Sequence, residues 1–319
     1  MSQWTERYFS QVVDRCGRVA VLMGGNAAER DISLQSGQAI ATALKSSGVD
    51  AVAVDWDGRL ALETVDTEFD RYFIAVHGRG GEDGKVQAAL ELMGIPYTGS
   101  GVLGSALAMD KVRTKLVWQG AGLLTPSFRR VDDGTDIDNL ISELGLPLAV
   151  KPAREGSSFG VVKVTEAGEI ESAIATASAI DSSVIAEQWI EGAEYTMGIL
   201  QDRALPMIRL EVAGEFYDFE AKYERDDTRY ICPCGLASAV ESAAAATALA
   251  AFQSLDAGGW GRIDFVADGE GNLYLIELNT VPGMTDHSLV PMAAGEAGLS
   301  FEQLCLAILA TSMTDAELQ

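Results

Sequence analysis

Between residues 18 and 99, short apolar runs alternate with stretches of helical spacing, and nearly every unit closes on glycine. RVAVLMGG (18–25) is an apolar run ended by two glycines, and ISLQSGQAIATALKSSG (32–48) carries apolar residues at helical intervals up to a glycine stop. DAVAVDWDG (50–58) and YFIAVHGRGG (72–81) repeat the first pattern, and KVQAALELMG (85–94) repeats the second. Strands separated by crossover helices pair in parallel, and such sheets collect ligands at the carboxyl ends of their strands. The fold class read from this is α/β, with α+β in parts.

The chain has 319 residues, more than the ~100 to 200 typical of one domain, so two or three domains are expected. Upstream of the first strand, MSQWTERYFSQVVDRCGR has no apolar h-region and reads as a short extra helix over 1–17, not a signal peptide. Helices follow from about 101 to 121, and Pro126 opens a new segment. LPLAVKP, FGVVKV and SSVIAEQWI read as three strands around the helix EIESAIATASA. The last third holds YTMGILQ, ALPMIRLEV, a polar loop from about 215 to 235, an Ala-rich helix and a hairpin at 261–279.

With 23 basic against 47 acidic residues the formal charge is −24, which repels nucleic acid and anionic membranes at long range. Neither is expected as a partner, whereas a small anion needs only a few local cations. Four cysteines, Cys16, Cys232, Cys234 and Cys305, are too few for a disulfide framework and point to a reducing, cytoplasmic setting. Cys232-Pro-Cys234 lacks the nearby ligands of a zinc site.

KPAREGSSFG (151–160) sets a lysine at a strand end before a loop of small residues. It is not a Walker A sequence, in which the lysine follows the glycines. Such a loop suits a flap over phosphate oxygens, and equally an ordinary turn. The hairpin GRIDFVADGEGNLYLIELN is sharper. Strands at 261–268 and 273–279 place Asp264 opposite Glu277 and Arg262 opposite Asn279. Alternation puts these four on one face, together with Val266 and Leu275, and Ile263, Phe265, Tyr274, Ile276 and Leu278 on the other. A solvated salt-bridge cluster would have this pattern. So would a Mg²⁺ site, because two carboxylates and an amide are hard oxygen ligands that let substrate phosphates complete the shell.

TVPGMTDHSL (280–289) turns directly behind that strand, where the Gly283 N–H can face a reacting oxygen and Ser288 can take a carboxylate, or Asp286 or Ser288 can open a helix. The two histidines, His77 and His287, fall in such loops and read more readily as hydrogen-bonded scaffold. Glu29 could meet a ligand's ammonium group or favour a helix dipole. EFYDFEAKYERDDTRY (215–230), with Lys222 and Tyr223 at its centre, is a candidate lid.

The ordered series LMGGNAAERDISL, HGRGGEDG, YTGSG, MDK, KPAREGSSFG, EAKY, GWGRIDF and IELNTVPGMTDHSL resembles the D-alanine:D-alanine ligase family of ATP-grasp enzymes, which serve peptidoglycan synthesis, over residues 18 to about 310. The resemblance implies a three-domain ATP-grasp fold: a Rossmann-like substrate domain over 1–99, a central domain over 100–186, and a C-terminal domain over 187–319 with metal site and lid. It implies that Lys111 and Lys151 hold ATP phosphates under the 155–160 loop with Ser158. Glu187, Trp189 and Glu194 then line the adenine and ribose pocket. Asp264, Glu277 and Asn279 match ligands of two Mg²⁺ or Mn²⁺ ions. Glu29 matches the residue that meets the first D-alanine's ammonium, with Ser157 and Tyr223 as its lid-closing partners, and Arg262 with Gly283 matches the oxyanion donors. Ser288 with Lys222 matches the seat of the second carboxylate, and His77 and Leu289 are further substrate-binding positions. A homodimer is implied. Lys222-Tyr223 resembles dipeptide-forming members, not those that make a D-lactate ester. Phe159 and Val281 depart from the family, which often carries smaller or more polar residues there. Another ATP-grasp carboxylate-amine ligase with different amino acids is the alternative, and an ATP-binding regulatory module without catalysis is a third.

Overall fold

The computed structural model describes residues 4–58, 68–156, 159–211, 228–285 and 288–318. Helix α1 (Glu6–Arg15), capped by the Thr5 hydroxyl accepting the Tyr8 N–H, leads into β1 (Arg18–Gly24). Then come α2 (Arg30–Ser46), β2 (Asp50–Trp56), β3 (Arg71–Ile74) and α3 (Lys85–Met93). The three strands form a parallel sheet in the order β2-β1-β3, as the alternating pattern requires. The C-terminal segment returns to this sheet. Leu304 and Ile308, both fully buried, share one core with Val19, Val21 and Leu44.

Helices α4 (Val102–Met109) and α5 (Lys111–Gly120) meet at Asp110, which caps α5 by accepting the Arg113 N–H at 3.2 Å. The second sheet is antiparallel, in the order β4-β7-β5-β6, from β4 (Phe128–Val131), β5 (Leu148–Pro152), β6 (Val162–Val164) and β7 (Val184–Gln188). Helices α6 (Ile137–Leu144) and α7 (Ile170–Ser178) contribute to the core beneath it. Strand β4 and helix α6 were not anticipated. FRRV is an edge strand with two exposed arginines and carries no alternation to read.

The third sheet runs β11-β10-β8-β12-β13, with β9 added to β8. It comprises β8 (Glu194–Leu200), β9 (Arg203–Ala204), β10 (Ile208–Glu211), β11 (Arg229–Ile231), β12 (Trp260–Ala267) and β13 (Leu273–Asn279). Helix α8 (Ser238–Ser254) packs against it through Ala244, Ala248, Ala251 and Phe252, and Trp118 of α5 joins the same core, donating from Nε1 to the Ala251 carbonyl at 3.1 Å. Helix α5 is therefore fixed by the third sheet. The chain ends in α9 (Leu289–Glu296), α10 (Phe301–Leu309) and α11 (Asp315–Leu318). No single described helix is long and apolar enough to cross a membrane.

In the hairpin, Arg262 pairs with Asn279, Ile263 with Leu278 and Asp264 with Glu277. One expectation is corrected. A bulge shifts the register after Asp264, so Phe265 pairs with Leu275 and leaves Ile276 as the extra residue. Strict alternation fails across a bulge. Leu275 is fully buried in the core and Ile276 lines the cleft, the reverse of the sequence assignment.

Trp118→Ala should destabilise the protein by about 3–5 kcal/mol, because it empties a buried indole site and strands a backbone acceptor. Chemical denaturation monitored by circular dichroism measures this, and a midpoint unchanged from wild type would show that α5 does not depend on this contact.

Candidate active site

Residues of the second and third sheets line a cleft that is open to solvent, with a cavity volume of about 160 Å³. Lys111, Lys151, Glu187, Trp189, Glu194, Asp264, Glu277 and Leu289 all line it, with Glu155, Phe159 and Ile276. Each cation in it meets a carboxylate. The Lys111 ammonium lies 3.3 Å from Glu277 Oε2 and donates to the Glu155 carbonyl at 2.5 Å. Lys151, at the end of β5, donates to Glu187 Oε1 on the neighbouring strand β7. Arg262 grips Asp264 through two bonds of 2.8 Å, and Asp264 also accepts from Asn279 Nδ2 at 3.0 Å and from the Thr196 hydroxyl at 2.6 Å.

Behind Glu187 stands a second lysine. Lys115 is 0% exposed, and its ammonium lies 2.9 Å from Glu187 Oε2 and donates to the Thr125 hydroxyl at 2.7 Å. Burial pushes the Glu187 carboxyl up, but the two ammonium groups outweigh it and hold the acid below its usual range. Burial pushes Lys115 down to about 8 against the opposing pull of Glu187. On the cleft's far wall, the Trp189 indole donates to Glu191 at 3.0 Å, and the Lys163 ammonium sits 4.7 Å from the centre of its ring.

Glu29, 6% exposed, lies in the loop before α2 and is approached closely by two backbone segments. A Cβ at Gly78 would come 2.6 Å from one of its carboxylate oxygens, and a Cβ at Gly156 would come 2.5 Å from the other. At Gly78 the backbone φ of +69° favours glycine, and at Gly156 a Cβ would have to displace the Glu29 carboxylate. The flap residue Glu155 is tied to the N-terminal loop by Arg79 Nη2 at 2.6 Å, while Arg79 Nε donates to the Arg154 carbonyl at 3.1 Å. His77 has both ring nitrogens engaged, Nδ1 with the Val281 carbonyl at 2.8 Å and Nε2 with the Ser36 hydroxyl at 3.0 Å. The Val281 N–H in turn donates to Glu82 Oε1 at 2.8 Å, and the Met284 N–H to Ser36 Oγ at 3.0 Å. The turn bearing Gly283 is thus hydrogen-bonded on both flanks. Ser288 Oγ accepts the Thr285 N–H at 2.8 Å, close enough to Gly283 that a Cβ there would sit 3.0 Å from it. Ser157, Ser158, Lys222 and Tyr223, and also Asp286 and His287, lie outside the described residues.

Family models match this chain in two parts: residues 59–100 to the D-ala D-ala ligase N-terminus and residues 117–310 to the D-ala D-ala ligase C-terminus. The chain belongs to the D-alanine–D-alanine ligase family. Relatives include the D-alanine–D-alanine ligase of Alkalilimnicola ehrlichii, 57% identical over 93% of this chain and 94% of that one, and that of Azoarcus sp., 56% identical over 93% and 97%. The crystal structure of D-alanine–D-alanine ligase from Bacillus anthracis superposes with a TM-score of 0.84 at 34% identity, covering 93% of this chain and 97% of that one. That enzyme has also been solved complexed with ATP. The VanG D-Ala:D-Ser ligase of Enterococcus faecalis gives a TM-score of 0.84 at 27% identity, covering 93% and 99%. The fold is therefore ATP-grasp.

Within this family architecture, several residues that the sequence did not single out hold the site: Lys115, Glu82, Arg79 and Ser36. Lys115 had a readable signal, since it stands four residues after Lys111 and so on the same helix face. Glu82 and Ser36 had none, because their roles arise from segments that meet only in the fold.

Burial lowers His77 to about 4 and raises Glu82 to about 7. Between pH 4 and 6.5 the folded state then binds fewer protons at His77 than the unfolded chain does, so this residue makes stability rise with pH. Between about 4.5 and 7 the folded state binds more protons at Glu82, so that residue makes stability fall as pH rises. His77→Gln should flatten the acid limb of the unfolding free energy, measured by denaturation at a series of pH values, by up to roughly 3 kcal/mol. Glu82→Gln should steepen the net rise over the shared range. Profiles that coincide with wild type for both variants would refute this assignment.

Proposed function

We propose that the chain is a cytoplasmic, ATP-dependent ligase that joins two D-alanine molecules into D-alanyl-D-alanine for peptidoglycan precursors. The observation that carries this reading is the cleft lined together by Lys111, Lys151, Asp264 and Glu277. Its domains divide near residues 100 and 187, and it acts as a homodimer. The carboxylate of the first D-alanine, its ammonium held by Glu29, attacks the γ-phosphorus. The bond to the β-phosphate bridging oxygen breaks, giving an acylphosphate and ADP. Lys111 and Lys151 exchange their carboxylate partners for phosphate oxygens. The amine of the second D-alanine, its carboxylate seated by Ser288 and Lys222 beside Leu289, then attacks the acyl carbon. Arg262 and the Gly283 N–H stabilise the oxyanion, phosphate leaves, and the amine loses a proton. His77 acts here by holding the Val281 carbonyl. Ser157, Ser158 and Tyr223 close the flap and lid, which keeps water from the acylphosphate.

The donor set fits a divalent cation: Asp264 and Glu277 are paired across β12 and β13, and Asn279 donates to Asp264 through Nδ2, which leaves its amide oxygen for a ligand. These residues would hold two Mg²⁺ or Mn²⁺ ions, which when bound offset the charge of the transferring phosphoryl group.

An ADP-coupled assay should show turnover with D-alanine and none with L-alanine, while D-serine and D-lactate arms test for the alternative specificities. Glu277→Gln should lower kcat at least about 100-fold, the order of loss for removal of one electrostatic contact to a transition state. Full rate in that variant would overturn the assignment of the ribbon.

A further inference from the structure

Lys115 is not in the cleft and touches no reacting group in the scheme above, yet it is the one lysine among the described residues that is completely buried. A buried ammonium is costly, and a well-packed apolar residue of similar volume usually serves stability as well or better. Its surroundings are specific. Glu187 sits between it and Lys151, with Oε2 2.9 Å from Lys115 and Oε1 bonded to Lys151. Thr125 fixes the Lys115 ammonium at 2.7 Å and is itself anchored by donating to the Leu275 carbonyl at 2.8 Å. The Phe128 ring, 5.8 Å away, covers another side. One carboxylate thus serves two buried ammonium groups, of which only Lys151 reaches the cleft.

If Lys151 turns to a phosphate oxygen, Glu187 loses one partner. Without Lys115 that movement would strand an unpaired carboxylate in a buried position, which is strongly unfavourable. With Lys115 in place Glu187 stays paired and ionised throughout. We infer that Lys115 is a positioning residue that frees Lys151 for the nucleotide's triphosphate by keeping Glu187 neutralised from behind. The inference rests on the nucleotide reading of the cleft. Glu187 also lines the part of the cleft read as the adenosine pocket, so the inference predicts a larger loss for the triphosphate than for adenosine.

The test is equilibrium binding, without turnover, of a non-hydrolysable ATP analogue and, separately, of adenosine, to wild type and to Lys115→Met. In the variant the affinity for the ATP analogue should fall at least about tenfold further than that for adenosine, the loss expected when one ammonium–phosphate contact is withheld. Equal binding of the analogue by both proteins, or a matched loss for analogue and adenosine, would overturn the inference. Thr125→Val is the second variant, should Lys115→Met not fold. It loosens Lys115 without removing it and should weaken analogue binding about two- to fivefold more than adenosine binding. A wild-type protein that binds neither ligand would instead refute the nucleotide reading itself.

Discussion

The register of β12 between β8 and β13 is the constraint from which the site follows. Asp264 lies opposite Thr196 on one side and Glu277 on the other, while the adjacent Ile263 lies opposite Met197 and Leu278. The apolar trio is buried against α8, so a slip of β12 by one residue would drive Arg262 and Asp264 toward the core and turn Ile263 and Phe265 out of it. Packing energy on one face thereby fixes the position of charge on the other. The bulge at Ile276 restores an apolar surface to the cleft beyond Glu277 without disturbing the inward pairing of Phe265 with Leu275.

A chain with a formal charge of −24 nevertheless gathers Lys111, Lys115, Lys151 and Arg262 around one cleft. Desolvated cations must be paired, and Glu277, Glu187 and Asp264 do this at close range. Such pairing leaves the site electrostatically satisfied without ligand, yet each pair involves groups that an anionic ligand or a cation could recruit. The global charge governs long-range encounter, whereas these short contacts govern what the cleft can hold.

The Arg262–Asn279 and Asp264–Glu277 pairs were legible in the sequence from period-two alternation, although the turn holds five residues where four were expected and the bulge at Ile276 offsets the difference. The parallel sheet was legible because glycine punctuated every strand. Ile276 and Leu275 were misassigned because a bulge is set by sheet twist and neighbouring strands, and nothing in LYLIELN marks it. Strand β4 and helix α6 escaped because FRRV and IDNLISEL are a polar edge and a short segment whose burial depends on β7 and β5. The roles of Glu82, Arg79 and Ser36 could not be read from spacing. Each acts on a residue distant in sequence, as Glu82 does on Val281.

Those long-range contacts explain how elements of three sheets make one site. The loop at 77–82 reaches the turn behind β13 through His77 and Glu82, and reaches the flap through Arg79. Its own shape is held by the Gly78 N–H donating to Glu82 at 2.7 Å and by Gln87 donating to the Gly81 carbonyl at 2.6 Å. A Cβ at Gly81 would overlap the Val76 carbonyl, so the loop admits no larger residue there. One rigid segment of the parallel sheet thus sets the separation between Glu29, the flap and the Gly283 turn. Reactions between two bound molecules lose rate steeply with misplacement of about 1 Å. Rigidity at this loop therefore does for Glu29, the flap and the Gly283 turn what strand register does for the carboxylates.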